Sequence, residues 1–480
     1  MAIKHDIENE IMEMLQRGTL LPGDKLPSIR TMAKNFGVSM TPVIDAYNEL
    51  VSRQLVESRP GSGYYLAGSS EQLQEAMALQ HRLQLNTNEH YSLIDEFISG
   101  YSELAFNVNN NLQHYFGTTS ASSLFYPELG YNAALAKAIR HAEASGNFQV
   151  QLHDDVALKR NIMKWMQPCQ LKNRIDDISI VRSVTEGITL AVLSCARPGS
   201  YIAIEAPGHA GFYFTAKLLN CKVIPVPSHP VDGLNVAAFE KLLRKGARPA
   251  CLLLSATFSN PTGASMPDAN KEHLCRVCAQ YQIPIIEDDI LGELYFGSSR
   301  PRPLKSFDND NVIYISGFGK CLNPILRIGF VSAGRHSEAF AFQKHLSTAY
   351  VYPLLQQGLA EFMESGAAYK HVNFFCKTLH INVEAYRDTI LATFPRGTRV
   401  ETPRGGPYLW VTLPDGASAA ELSELAKENG ISIAPSHLFN AGESMKNCFR
   451  FNCVAVPFNA EALIAVERLG VLAHSLCIGK

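Results

Sequence analysis

Ser255-Ala256-Thr257-Phe258-Ser259-Asn260-Pro261-Thr262-Gly263, Glu287-Asp288-Asp289 and Ser316-Gly317-Phe318-Gly319-Lys320 are three phrases in one order. Asn260 and Asp288 are 28 residues apart, and Asp288 and Lys320 are 32 apart. Each phrase follows a continuous apolar run, at 250–254, 283–286 and 312–315. Such runs read as strands covered on both faces. Similar runs at 178–181, 201–204, 222–225 and 329–332 alternate with helical stretches. From about residue 120 the pattern therefore predicts an α/β sheet, with polar groups gathered at the C-terminal strand ends. Beyond about residue 370, strands at 405–411 and 448–451 alternate more loosely with helices, which predicts a smaller α+β domain. Alone, Asn-Pro-Thr-Gly is an ordinary turn, an Asp pair a helix cap and a lysine a solvated charge. Their shared position after three successive strands sets them apart.

The rest of the chain bounds what surrounds this sheet. At 480 residues it has room for two to four domains and buries enough surface to need no disulfide or metal staple. Hydrophobic content of 46% and charged content of 18% exclude disorder as the main state. With 43 Lys+Arg against 45 Asp+Glu the net charge is −2, so any nucleic-acid contact must be local. No run of 18 apolar residues is present, and the acidic, amphipathic start from Met1 is unlike a signal peptide. No membrane association is expected. The eleven cysteines are scattered, and only Cys275 and Cys278 form C-x-x-C, on a helical pattern without a second ligand pair. That pair reads as packing, no metal site is expected, and a reducing cytoplasm fits.

Apolar positions Ile7, Ile11, Met14 and Leu15 predict a helix over 4–17. Ser28 is placed to cap a second helix that ends at Gly37. Thr41-Pro42 is expected to open a third, with Thr41 as its cap and Val43, Ala46, Tyr47, Leu50 and Val51 on one face. Strands at 55–58 and 64–66 flank a Gly61-Ser62-Gly63 turn. Three helices and a hairpin make a winged helix-turn-helix. Expected boundaries are 1–68 for this module, 69–110 for a partly helical linker and 111–480 for the remainder, its large part about 120–345 and its small part about 370–480.

The phrases Pro22-Gly23-Asp24-Lys25-Leu26-Pro27-Ser28-x-Arg30, Gly37-Val38-Ser39 and Gly61-Ser62-Gly63 resemble the GntR family of DNA-binding domains. The three strand-end phrases, with Arg327 seven residues past Lys320, resemble the fold-type I pyridoxal-phosphate (PLP) enzymes, the class I aminotransferases. Together the chain looks like a MocR-type regulator, whose aminotransferase-like domain serves as effector sensor. Glu287-Asp288-Asp289-x-x-Gly292-Glu293-Leu294 and Arg300-Pro301-Arg302-Pro303-Leu304-Lys305 look particularly like that group. The resemblance implies that the helix led by Ser39, Met40 and Thr41 enters the major groove of double-stranded operator DNA. Arg30 would make a further contact, and Gly61 and Gly63 would let the wing approach the backbone.

For the PLP site the resemblance implies that Lys320 forms the Schiff base. Asp288 would pair with the pyridinium nitrogen, Asn260 with the phenolic oxygen, and Arg327 with the phosphate. The strand-to-helix junction of Val184 and Thr185 would cradle that phosphate. His209 would stack on the ring, and Arg450 would take the α-carboxylate of an amino acid. A head-to-tail homodimer is also implied.

The pattern departs from the family at several positions. Met40 stands where the family has arginine. Residues 1–66 carry seven basic side chains (Lys4, Arg17, Lys25, Arg30, Lys34, Arg53, Arg59) and eight acidic ones (Asp6, Glu8, Glu10, Glu13, Asp24, Asp45, Glu49, Glu57), so one copy should bind DNA weakly. Gly317 and Gly319 replace serines, Leu291 replaces a tyrosine, and Leu152-His153-Asp154-Asp155 replaces a glycine-rich phrase. Each loss costs on the order of 1 kcal/mol of cofactor positioning. The expected function is a DNA-binding transcriptional regulator that senses a small amine, an amino acid or PLP itself, with weak or no turnover. The alternative is an active aminotransferase with an appended winged helix.

Overall fold

The structure, a computed structural model, describes residues 2–16, 19–20, 23–53, 55–67, 112–126, 130–144, 153–348, 350–440 and 442–478. The chain divides into two units, residues 1–98 and 99–480. The linker expected at 69–110 lies outside the described residues.

In the first unit, α1 (Ala2–Gln16), α2 (Ile29–Phe36) and α3 (Met40–Ser52) precede a hairpin of β1 (Val56–Arg59) and β2 (Gly63–Leu66). The Ser28 side chain accepts from Thr31 N, and Gly37, at φ 65°, donates its N–H to the carbonyls of Ala33 and Lys34. Both ends of α2 are thus closed as the sequence indicated. The start of α3 is a correction. Ser39, not Thr41, is the cap, and it makes no side-chain capping bond. Thr41 and Pro42 sit inside the first turn, where a missing N–H costs nothing. Ile7, Ile11, Met32, Val43, Tyr47, Leu50, Val56 and Leu66 form the core. Glu49 holds Lys4 at 3.0 Å and Arg53 at 3.1 Å, pinning α1 to α3.

The second unit is built on an eight-stranded sheet in the order β3-β10-β9-β8-β7-β4-β5-β6. The strands are β3 (Ile178–Val181), β4 (Tyr201–Ala206), β5 (Lys222–His229), β6 (Gly233–Leu234), β7 (Leu252–Leu254), β8 (Ile285–Asp288), β9 (Val312–Gly317) and β10 (Gly329–Ser332). Pairing is parallel from β5 through β4, β7 and β8 to β9, while β10 runs antiparallel between β9 and β3. The β7, β8, β9 and β10 residues are buried without exception, as continuous apolar strands between helical layers require. Cys275 and Cys278 lie buried in the helix Asp268–Gln280 and pack in that core.

A second sheet, β11 (Arg399–Val400), β12 (Tyr408–Thr412), β13 (Ala434–Pro435) and β14 (Cys448–Asn452), is antiparallel in the order β11-β12-β14-β13. The helices Ala367–Thr393 and Ala460–Ile478 flank it in sequence and contact each other. Its approach to the large sheet requires glycine. A Cβ on Gly405 would lie 2.4 Å from the Phe258 ring and 2.5 Å from Leu294 O. Among the described residues no helix is long and apolar enough to cross a membrane.

Candidate functional site

The parallel strands and β3 all end on one edge of the large sheet, and their exits bring the sequence phrases together. β3 leads into Ser183 and the helix Val184–Cys195, β4 into His209, β7 into Asn260, and β9 into Lys320. Asp288 closes β8, and Arg327 precedes β10. Arg450 arrives from β14 of the small sheet.

Lys320 Nζ donates to Thr119 O at 2.5 Å, and Tyr126 OH donates to Lys320 O at 3.3 Å. Burial pushes the amine down to about 8, helped by the charges of Arg450 and Arg327 and opposed by Asp288. Asp288 is buried, and its carboxylate accepts from Ile290 N at 3.1 Å. Burial pushes it up to about 7, while the Ile290 N–H and the Lys320 charge hold it back. The amine and the carboxyl are therefore electrostatic neighbours with opposed shifts, both toward neutrality.

Arg450, 1% exposed, donates Nη1 to Asn260 Oδ1 at 2.8 Å and Nη2 to Gly117 O at 2.5 Å and Thr118 O at 3.3 Å. Its guanidinium lies 4.8 Å from the Tyr408 ring centre and 5.0 Å from that of Phe439. The Asn260 amide nitrogen is 3.3 Å from His209 Nδ1. Burial, then the charges of Arg450 and Lys320, push His209 down to about 3, so its ring is neutral at any working pH.

At the head of the helix Val184–Cys195, the Ser183 hydroxyl accepts from Glu186 N at 3.1 Å, and the Glu186 carboxylate accepts from Arg182 N at 2.6 Å. This reciprocal cap satisfies the third N–H and leaves those of Val184 and Thr185 at the helix start. Val184 is buried and Thr185 exposed, as is Arg327.

The departures have separate causes. A Cβ on Gly317 would meet Val184 Cγ2 at 3.0 Å and Ile328 O at 3.1 Å, so packing requires glycine there, whereas Gly319 faces open space. Leu291 packs into the apolar core beside Leu294. Asp155 caps the helix Val156–Trp165 through Leu158 N, and Asp154 holds Ile180 N at 2.9 Å and Lys344 at 2.6 Å. That phrase has become structural.

Several residues escaped sequence reasoning. Glu205, on β4, is fully buried; its Oε1 accepts from Ser255 N at 2.8 Å and Ser259 Oγ at 3.2 Å. Burial pushes it up to about 8. Behind Asp288, Arg300 donates to Asp289 at 2.5 Å and Glu293 at 2.8 Å, and Tyr314 OH donates to Asp289 at 2.8 Å. A Cβ on Gly292 would lie 2.3 Å from Arg300 Nη2, which explains the Asp-Asp-x-x-Gly-Glu spacing and the distant arginine together. Only the phrases were visible in sequence; their pairing needed the fold.

In the first unit Ser39, Met40 and Thr41 are exposed at the start of α3, with Met40 55% exposed, and Arg30 is exposed in the first turn of α2. Gly61 and Gly63 hold positive φ at the hairpin turn, 72° and 119°. Arg59 stacks on Tyr65 at 4.2 Å, with Lys25 at 5.9 Å from the same ring, cations that motif reading did not single out.

A strand-end cluster of lysine, aspartate and asparagine on this sheet order, beside a second α+β sheet, defines an aminotransferase-like unit. A winged helix-turn-helix precedes it. Residues 125–469 match the aminotransferase class I and II family, and residues 3–66 match the gntR family of bacterial regulatory proteins. The chain belongs to the aminotransferase class I and II family and carries an N-terminal gntR-family domain. It is 28% identical to the uncharacterized HTH-type transcriptional regulator YdcR of Escherichia coli, over 97% of this chain and 98% of that protein. It is 27% identical to the 2-aminoadipate transaminase of Thermus thermophilus, over 62% of this chain and 75% of that protein. The crystal structure of LysN, the α-aminoadipate aminotransferase of Thermus thermophilus complexed with N-(5'-phosphopyridoxyl)-L-leucine, superposes with a TM-score of 0.70 at 23% identity, over 81% of this chain and 99% of that one.

Proposed function

We propose that the chain is a DNA-binding transcriptional regulator whose aminotransferase-like unit holds PLP and senses a small amine or amino acid. The observation that carries this reading is the joining of two devices in one chain: an exposed helix start on a winged helix, and a half-buried lysine beside a buried aspartate at a strand-end cluster. Two relatives named as HTH-type transcriptional regulators match this chain over 97% and 96% of its length, which supports the reading.

The residues present fit the cofactor. The Lys320 amine, held near 8, has the neutral fraction that attachment to an aldehyde needs. Asp288 would hold a proton at the pyridine nitrogen, and bound PLP would supply an electron sink. Asn260 orients through its amide, already fixed between Arg450 and His209. The neutral His209 ring offers a flat, uncharged face. Val184 and Thr185 N–H groups at a helix start, with Arg327, receive a phosphate. Arg450 binds a carboxylate.

A homodimer in the cytoplasm completes the reading. Ile325, Phe342, Leu346 and Tyr352 are at least 61% exposed, and a second copy would cover such apolar surface. Two winged helices per dimer would also compensate the near-neutral charge of each. The test pairs two measurements on the full chain. Retardation of promoter DNA is followed with and without PLP and candidate amines, and product formation from amino donors with a keto acid is followed in parallel. DNA retardation that responds to ligand, with little turnover, is expected. Robust turnover without retardation would sink the regulator reading.

A further inference from the structure

Residues 112–120, the first described stretch after the winged-helix unit's chain leaves β2, lie in the strand-end cluster. Their two halves are held differently. The first half is fastened to the small domain: Gln113 and His114 N–H groups donate to Gly430 O at 2.8 and 3.0 Å, Ser432 N donates to His114 O at 2.9 Å, and Asn452 N to Phe116 O at 2.8 Å. Phe116, fully buried, stacks on Phe451 at 4.3 Å. The second half is held by side chains. Arg450 takes the carbonyls of Gly117 and Thr118, Asn452 Nδ2 takes those of Thr118 and Ser120 at 2.9 Å each, and Lys320 takes that of Thr119.

We propose that residues 117–120 form a ligand-displaced strap: their carbonyls occupy the donors of Arg450 and Lys320 that a carboxylate and the cofactor would claim. The inference rests on the sensor reading above and adds its moving part. A carboxylate accepts charge-assisted, bidentate bonds from a guanidinium, which neutral carbonyls cannot match. Attachment of the PLP aldehyde to Lys320 sends two nitrogen hydrogens and the aldehyde oxygen away as one water, and Thr119 O loses its ammonium donor. Both events act on one four-residue stretch. The anchored half, at Phe116, stays in place, so the strap swings rather than unravels.

Amide hydrogen exchange of the full chain tests the strap, with two probes. One is N-(5'-phosphopyridoxyl)-L-leucine; the other is its counterpart lacking the carboxylate, N-(5'-phosphopyridoxyl)-3-methylbutylamine. Binding of each is scored separately by cofactor absorbance after gel filtration. The leucine conjugate is expected to speed exchange across 117–120 about tenfold, with 113–114 unchanged; the amine conjugate should have less than about a twofold effect. A bound leucine conjugate that leaves exchange unchanged, or slows it, overturns the strap while leaving the sensor reading intact. Failure of both conjugates to bind overturns the sensor reading and the strap with it. A variant gives an independent arm. Asn452→Ala removes two strap bonds without touching Arg450 or Lys320, so ligand-free exchange at 118–120 should rise and the leucine conjugate should bind about fivefold tighter. Unchanged or weaker binding to a folded Asn452→Ala protein would also overturn the proposal.

Discussion

Arg450, on β14 of the small sheet, and Asn260, in the turn beyond β7 of the large one, are 190 residues apart and meet through a 2.8 Å bond from Nη1 to the asparagine oxygen. The contact joins the small sheet to the strand-end cluster, and the asparagine passes it on to His209 at 3.3 Å. Asn260→Ala removes an acceptor from a buried guanidinium, and hydrogen bonds to charged groups contribute about 1.5–3 kcal/mol. The expected result is a melting temperature lower by several degrees in the cofactor-free protein, read by thermal scanning. An unchanged melting temperature would show that Arg450 finds an equal partner elsewhere.

Arg300 is the larger stability determinant. Its side chain has no exposure and neutralises Asp289 and, at 2.8 Å, Glu293. Arg300→Met leaves two buried carboxylates without their cation, a loss of about 3–5 kcal/mol. Gly292→Ala should mimic it, because the new methyl would stand 2.3 Å from Arg300 Nη2 and 2.5 Å from Asp289 Oδ1. Urea midpoints should fall in both variants. A Gly292→Ala protein as stable as the parent would mean that the arginine has a second path to its partners.

Stability should fall as pH rises from about 6.5 to 8. Glu205 is pushed up to about 8 and Asp288 to about 7, in each case first by burial. In this window an unfolded carboxyl has already lost its proton, while the folded Glu205 retains its own up to about 8 and Asp288 up to about 7. The folded state thus binds more protons, and stability is lost with rising pH at up to about 1.4 kcal/mol per unit for each group. His209, pushed down to about 3, works in the opposite sense but only below its ordinary value of about 6.5. Lys320, pushed down to about 8, works in the opposite sense from the top of the window upward, so the fall is steepest in its lower part. Urea midpoints at the two pH values should therefore differ, and Glu205→Gln should flatten the difference. Equal slopes for parent and variant would place the proton elsewhere.

Local chemistry was largely legible in the sequence. Ser28 and Gly37 close α2 because capping depends on a few adjacent residues, and apolar runs mark β7, β8 and β9 because both sheet faces are covered. The strand ends followed, since alternation with helices orders them along one edge. Thr41 misled as a cap because Pro42 is tolerated anywhere in a first turn, so proline alone does not fix where a helix begins. What stayed hidden was pairing at long range. Glu205 with Ser255, Arg300 with Asp289, and Lys320 with Thr119 join segments 50, 11 and 201 residues apart, and no periodicity announces them. The glycines at 317 and 319 looked alike in sequence. Only the neighbouring atoms separate a packing requirement from open space.

The recognition surface gives a prediction that runs toward gain. Four of the charged groups in the first unit neutralise one another between α1 and α3: Lys4, Glu8, Glu49 and Arg53. Their pairing leaves the near-neutral balance unchanged, so the cations that remain exposed elsewhere on the unit carry the contact, among them Arg30 and the Lys25–Tyr65–Arg59 stack on the wing. Met40 stands 55% exposed at the first position of α3, where a longer cation would reach toward a phosphate or a base edge. Met40→Arg should tighten DNA binding and steepen its dependence on salt by about one unit of log K against log salt per site. Arg30→Ala should do the reverse. Retardation assays at several salt concentrations measure both. A Met40→Arg protein whose salt slope equals that of the parent would show that the start of α3 does not approach the DNA backbone.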